Sequence, residues 1–166
     1  MENELSHFLY PSALFFSRKP YVVNTILGSC VAVCLWDKHL NVGGINHYML
    51  PMWNGDGLAS PKYGNIAIDK LIDNMIHNLG CQKRNLQAKI FGGGEVIETK
   101  VAAFNIGKRN IEIAKEQLQE HNIPILAMSV GGNQGRKIQY FTQTGKVKMK
   151  LVQKHVLPPE QKILHS

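Results

Sequence analysis

The apolar positions of this chain follow two different periods, and the changes between them mark its elements. Residues 31–36 and 42–50 are runs of β-branched and other apolar residues punctuated by small ones, the signature of strands. A turn around Asp37-Lys38-His39-Leu40-Asn41 joins them as a hairpin. Tyr21-Val22-Val23 leads into a preceding core strand, and Phe8-Leu9-Tyr10 reads as a short strand ahead of Pro11. Residues 51–61 hold Asn54-Gly55-Asp56-Gly57 between two prolines and read as a loop, one that follows the second strand of the hairpin directly and is placed to flank a cleft. From Tyr63 the period becomes helical. Ala67 or Ile68, then Leu71, Ile72, Met75 and Leu79 recur at three- and four-residue spacing, and Gly80 stops the helix where an αL cap is expected.

A strand at residues 88–91 runs into Gly92-Gly93-Gly94. A second helix starts at Asn105 or Asn110 and continues to His121, with Ile111, Ala114 and Leu118 as its buried stripe. Residues 124–130 read as a buried strand, and 138–142 with 147–152 as a hairpin around Gln143-Thr144-Gly145. The order of strands, helix, strand, helix and strands predicts an α+β fold, a layered α/β sandwich of mixed sheets with two main helices packed on the outside. With no repeat and no linker, residues 1–166 are expected to form one domain, with its core at 9–152 and an extended tail at 153–166.

Composition narrows the class. A 44% hydrophobic and 19% charged chain is ordinary for a globular protein, and no apolar run approaches the ~20 residues of a membrane helix. The acidic start Met1-Glu2-Asn3-Glu4 and the short Leu14-Phe15-Phe16 do not resemble a secretory signal, so a cytoplasmic location is expected. Three cysteines, Cys30, Cys34 and Cys81, are too few and oddly numbered for a disulfide framework and are expected to be thiols. The net charge of +7 is spread along the chain. It fits a solvated basic surface or an acidic protein partner. Nucleic acid is not expected, because the chain has no recognisable nucleic-acid motif and no interleaved basic and aromatic patch.

The candidate chemistry lies in the hairpin. Cys30 follows Gly28-Ser29 at the start of one strand, and His47 lies in the middle of the next. A turn with Gly28 can adopt backbone angles closed to other residues and aim successive N–H groups at one point. A thiol, a base for its proton and backbone donors are the parts of a cysteine nucleophile with an oxyanion site. Zinc is not expected at Cys30, Cys34, His39 and His47, since an i, i+4 pair on a strand lies ~13 Å apart, too far to share one ion. Phe91-Gly92-Gly93-Gly94 and Gly131-Gly132-Asn133-Gln134-Gly135-Arg136 lack the phosphate-loop patterns and are read as tight turns and close backbone packing around the site.

These motifs, GSCVAVCLWD followed by GGINHYMLP, resemble the bacterial chemoreceptor glutamine deamidases, the CheD family. AKIFGGG, Ile106-Gly107-Lys108-Arg109-Asn110 and Gly131-Gly132 with Gly135-Arg136 resemble further motifs of the family, so the likeness extends roughly from Leu9 to Val152. The resemblance implies a cysteine-dependent protein-glutamine deamidase, related to toxin deamidase domains, that needs no metal or organic cofactor. It places the nucleophile at Cys30 and the general base and acid at His47. It also implies an orienting threonine just upstream of the cysteine, here Thr25. Asn24 beside it would take that place after a one-residue change of register, because neighbours on a strand face opposite ways. Gly28, Ser29 and Asn46 are the expected substrate or oxyanion contacts. The implied partners are the cytoplasmic region of methyl-accepting chemotaxis receptors and a CheC-type CheY-phosphate phosphatase; a non-catalytic adaptor for the same partners is the alternative. Family members commonly carry an acidic residue where this chain has Ser129.

Overall fold

The computed structural model describes residues 4–95 and 105–153. Among these residues nine strands and two α-helices follow one another as β1 (Leu5–Phe8), β2 (Leu14–Ser17), β3 (Tyr21–Leu27), β4 (Val31–Asp37), β5 (Val42–Asn46), α1 (Gly64–Leu79), β6 (Leu86–Gly92), α2 (Ile106–Glu120), β7 (Ile125–Val130), β8 (Gly135–Phe141) and β9 (Val147–Val152). They build two mixed sheets. One has the order β1-β3-β8-β9, with β1 parallel to β3; the other has the order β2-β5-β4-β6-β7, with β7 parallel to β6. Both helices lie on the outer face of the five-stranded sheet. The layered α+β sandwich is thus sheet, sheet, helices. The expected tail at 153–166 lies outside the described residues beyond position 153.

Two cores follow from the alternation of side chains along β4. Val31, Val33 and Leu35 face the helices and join Ile68, Leu71, Met75, Ala114 and Leu118. Cys30, Ala32 and Cys34 face the other way, into the space between the sheets, with Leu27, Ile45, Ile138 and Tyr140. A strand buried on both faces reads as a continuous apolar run, which is why 31–36 shows no polar alternation. Helix α1 buries the expected stripe and ends at Gly80, whose φ of 74° is the left-handed cap.

Three expectations are corrected, and one strand, β2, is added. The first strand is Leu5–Phe8 rather than residues 8–10, since its partner β3 offers parallel positions from Tyr21 to Asn24. The Leu14-Phe15-Phe16 segment is itself a strand, β2, at the edge of the five-stranded sheet beside β5. Strand 42–50 stops at Asn46, so His47 stands just past a strand end and not mid-strand. Residues 125–130 are an edge, with Leu126 55% and Met128 48% accessible, because β7 ends the order of the five-stranded sheet and pairs with β6 alone, while Ile125 and Val130 pack against the helix-side core.

Candidate active site

Cys30 is fully buried and directly precedes β4. Its carbonyl accepts the Gly93 N–H at 2.9 Å, and the Gly28 carbonyl accepts the Gly94 N–H at 2.9 Å. The triple glycine therefore runs along the Gly28-Ser29-Cys30 turn. Gly92 (φ 108°) and Gly93 (φ 69°) both take left-handed backbone. A Cβ at Gly92 would stand 2.2 Å from the Cys30 oxygen, so only glycine permits this approach.

His47 reaches the same space through a break in the sheet. β4 and β5 pair as far as Cys34 with Ile45, then part; Val31 and Tyr48 rejoin in an isolated bridge. In the gap, the Asn46 Oδ1 accepts the Val33 N–H at 2.8 Å in place of a backbone carbonyl. On its other side the His47 backbone bonds the chain preceding β2, its N–H to Ala13 O and its carbonyl to Ser12 N–H. The Val31–Tyr48 bridge makes Cys30 and His47 diagonal neighbours on one face, with Cα atoms about 7–8 Å apart, a span that an imidazole covers.

Thr25, buried on β3, reaches His47 from the opposite sheet. Its Oγ1 donates to the Leu9 carbonyl at 2.7 Å, which commits its single proton. The same Oγ1 lies 2.7 Å from His47 Nδ1 and therefore accepts from it, placing the imidazole proton on Nδ1. Nε2 then carries the lone pair, and it is buried without a partner among the described groups. Asn24 faces the other way, where its Oδ1 accepts from Gln139. The register puts Thr25, not Asn24, against the imidazole.

Burial pushes the His47 imidazole down from 6.5 to about 3, so it is a neutral base at pH 7. This has a measurable consequence for stability. The unfolded histidine takes up a proton as pH falls through 6.5 while the folded one does not until about 3, so stability present at neutral pH is lost across that window. The slope attributable to His47 is at most about 1.4 kcal/mol per pH unit. Urea unfolding at pH 4 and pH 7 is expected to show a smaller acid loss for His47→Gln than for the wild type.

Buried polar atoms without protein partners concentrate here. Ser29 Oγ, Asn46 Nδ2, His47 Nε2 and Asn110 Oδ1 are four of the six such atoms among the described residues. Native interiors seldom leave such atoms unpaired, so their clustering marks a site. Asn110 closes the Ile106-Gly107-Lys108-Arg109-Asn110 motif and was a candidate helix start, but the sequence assigned it no role; it lies inside α2, fully buried, and its Nδ2 donates to Ser29 O and Met49 O, both at 3.0 Å. Of the other cysteines, burial pushes the Cys34 thiol well up and Cys81 up to about 12. Arg136, 6% exposed, donates to Ser129 Oγ (3.1 Å), Gly131 O (2.8 Å) and Gly92 O (3.5 Å). Ser129 thus occupies a place from which an acid would pair with this guanidinium.

Together these features define a layered α+β protein that holds a cysteine, a neutral imidazole and a threonine between its two sheets. The family described as "CheD chemotactic sensory transduction" matches residues 49–151. A protein of Sulfurimonas denitrificans described as a probable chemoreceptor glutamine deamidase CheD is 49% identical over 155 residues, 93% of this chain and 98% of its own. Proteins described in the same words from Trichlorobacter lovleyi (49% identical, 85% of this chain and 87% of its own) and Rhodospirillum rubrum (42%, 88% and 82%) are also similar. The chain belongs to the CheD family. The solved structure of hypothetical protein YfiH of Bacillus licheniformis overlays on 70% of this chain and 49% of its own with TM-score 0.49 and 17% identity, a likeness too slight to inform function.

Proposed function

We propose that this chain is a protein-glutamine deamidase acting on chemoreceptors, with Cys30 as nucleophile, His47 as general base and acid, and Thr25 orienting the imidazole. The observation that carries the reading is the Leu9–Thr25–His47 relay, which leaves Nε2 as a buried acceptor on the face that Cys30 shares. The substrate class comes from the descriptions of the relatives.

Nε2 takes the Cys30 proton as the sulfur attacks the side-chain amide carbon of a glutamine. Donors of the Gly28-Ser29-Cys30 turn, the Ser29 hydroxyl among them, meet the oxyanion. Asn46, whose side chain alternates with that of His47, contributes chiefly by holding the parted strands. The C–N bond breaks, ammonia leaves with the proton from Nε2, and a thioester remains. His47 then deprotonates a water that attacks the thioester, giving glutamate and the thiol. These steps use no metal or organic cofactor.

Thr25→Val keeps the shape of the side chain and removes the acceptor that fixes the tautomer. Its kcat is expected to fall about 10²-fold with KM nearly unchanged, while Thr25→Ser keeps most of the rate. Steady-state ammonia release measures both.

A location in the cytoplasm, where receptor signalling regions lie, suits the three thiols. Strands β1, β3, β8 and β9 carry no acidic residue, and Lys137, Lys148 and Lys150 are exposed on that sheet, which favours encounter with a glutamate-rich receptor. A CheC-type phosphatase is proposed as a second partner on the family resemblance. The deciding experiment is mass spectrometry of a receptor cytoplasmic fragment incubated with the wild type and with Cys30→Ala. Glutamines converted only by the wild type support the enzyme; a fragment bound by both and changed by neither makes the chain an adaptor.

A further inference from the structure

Asn110 connects the two halves of the site from a distance in sequence that neither half reveals. One carboxamide nitrogen donates both its protons, one to Ser29 O and one to Met49 O, each at 3.0 Å. Ser29 adjoins Cys30, and Met49 lies two residues after His47. The backbone carbonyl of Asn110 also accepts from the Tyr48 hydroxyl. One residue of α2 thus bonds Ser29, Tyr48 and Met49, the chain on both sides of the Val31–Tyr48 bridge.

Local rules disfavour this residue here. Asparagine is a poor helix former, a fully buried carboxamide is costly, and its Oδ1 has no partner among the described groups. Such accumulated violations are expected at functional positions more than in a plain core. The geometry shows what the cost supports. A trans peptide directs its C=O and N–H in opposite senses, so holding the Ser29 carbonyl toward α2 turns the Cys30 N–H away from α2 and fixes the plane from which the Cys30 side chain departs. Holding Met49 at the same nitrogen sets the distance between that plane and the strand end that carries His47.

We propose that Asn110 is a positioning residue that clamps the Ser29–Cys30 peptide to the His47 segment and so sets the alignment of the thiol with the imidazole. The proposal rests on the reading of Cys30 and His47 as nucleophile and base. Misalignment by about 1 Å costs on the order of 10² in rate, so kcat rather than KM should respond.

The test uses the full chain with Asn110→Ala and Asn110→Asp, the second matching asparagine in size but lacking the donors. Circular dichroism establishes folding, and if one variant fails to fold the other is read, with Asn110→Ser, which keeps one donor, beside it. For folded protein, kcat for deamidation of a receptor fragment is expected to fall about 10²-fold with KM little changed, and the rate of Cys30 alkylation by iodoacetamide, followed by tandem mass spectrometry, to change with it. A kcat per folded molecule equal to that of the wild type overturns the clamp, as does a loss confined to KM. A wild type without deamidase activity overturns the functional reading instead. The alkylation rate then decides: a rate altered in the Asn110 variants supports the clamp, and an unaltered one overturns it.

Discussion

Cys30→Ala is expected to remain folded and to lose glutamine conversion by about 10⁴-fold or more, the scale on which removal of a covalent nucleophile acts. The fold should tolerate the change because it deletes one sulfur from a site between two sheets whose strands are held by backbone bonds of neighbouring residues: Val31 to Tyr48 on one side, Gly93 to the Cys30 carbonyl on the other. A single-atom deletion of this kind costs on the order of 1 kcal/mol. Loss of activity in a folded protein whose urea midpoint falls only by that small amount therefore reports chemistry. Cys34→Ala, in the same inter-sheet core but held as a thiol by burial, should cost comparable stability and leave conversion intact. Equal loss of activity in both variants would sink the assignment of Cys30 as nucleophile.

The largest effect on stability is expected at Gly92. Its φ of 108° is strained for any side chain, and a Cβ there would lie 2.2 Å from the Cys30 carbonyl oxygen and 3.3 Å from the Leu27 Cβ. The first contact is with backbone, which has no rotamer to change. The Gly92 carbonyl also accepts from Gly131 N–H at 2.9 Å and from Arg136, so a shift of the chain loosens the turn after β7 as well. Gly92→Ala is expected to destabilise by about 3 kcal/mol or more, among the severe single substitutions. Gly131→Ala is the matched control: its φ is 79°, yet nothing lies within 4 Å of its Cβ. Strain alone then costs about 1 kcal/mol. Urea midpoints at constant m-value separate the two, and equal midpoints would show that the contact with Cys30 is not the constraint.

Sequence by itself determined the parts whose signal is local. The period of 67–79 and the glycine at 80 specify α1, because helical periodicity and an αL cap are properties of one short segment. The apolar runs at 31–36 and 42–50 specify strands, the second shortened to Asn46 by the structure, and five residues from Asp37 to Asn41 turn them into a hairpin, closed in the structure by Asp37 Oδ1 accepting from His39 and Leu40. The resemblance of the Cys30 and His47 motifs named the chemistry. Tertiary structure decided what depends on partners far along the chain. Alternation states that Asn24 and Thr25 face opposite ways but not which face meets the imidazole; the pairing of β3 with β8, more than a hundred residues later, settled that. Burial of 124–130 was misjudged because an apolar strand looks alike at an edge and in a centre, and only its neighbours distinguish them. His47 at a strand end, the glycines along the Cys30 turn and Asn110 at the junction all arise from contacts that no single segment contains.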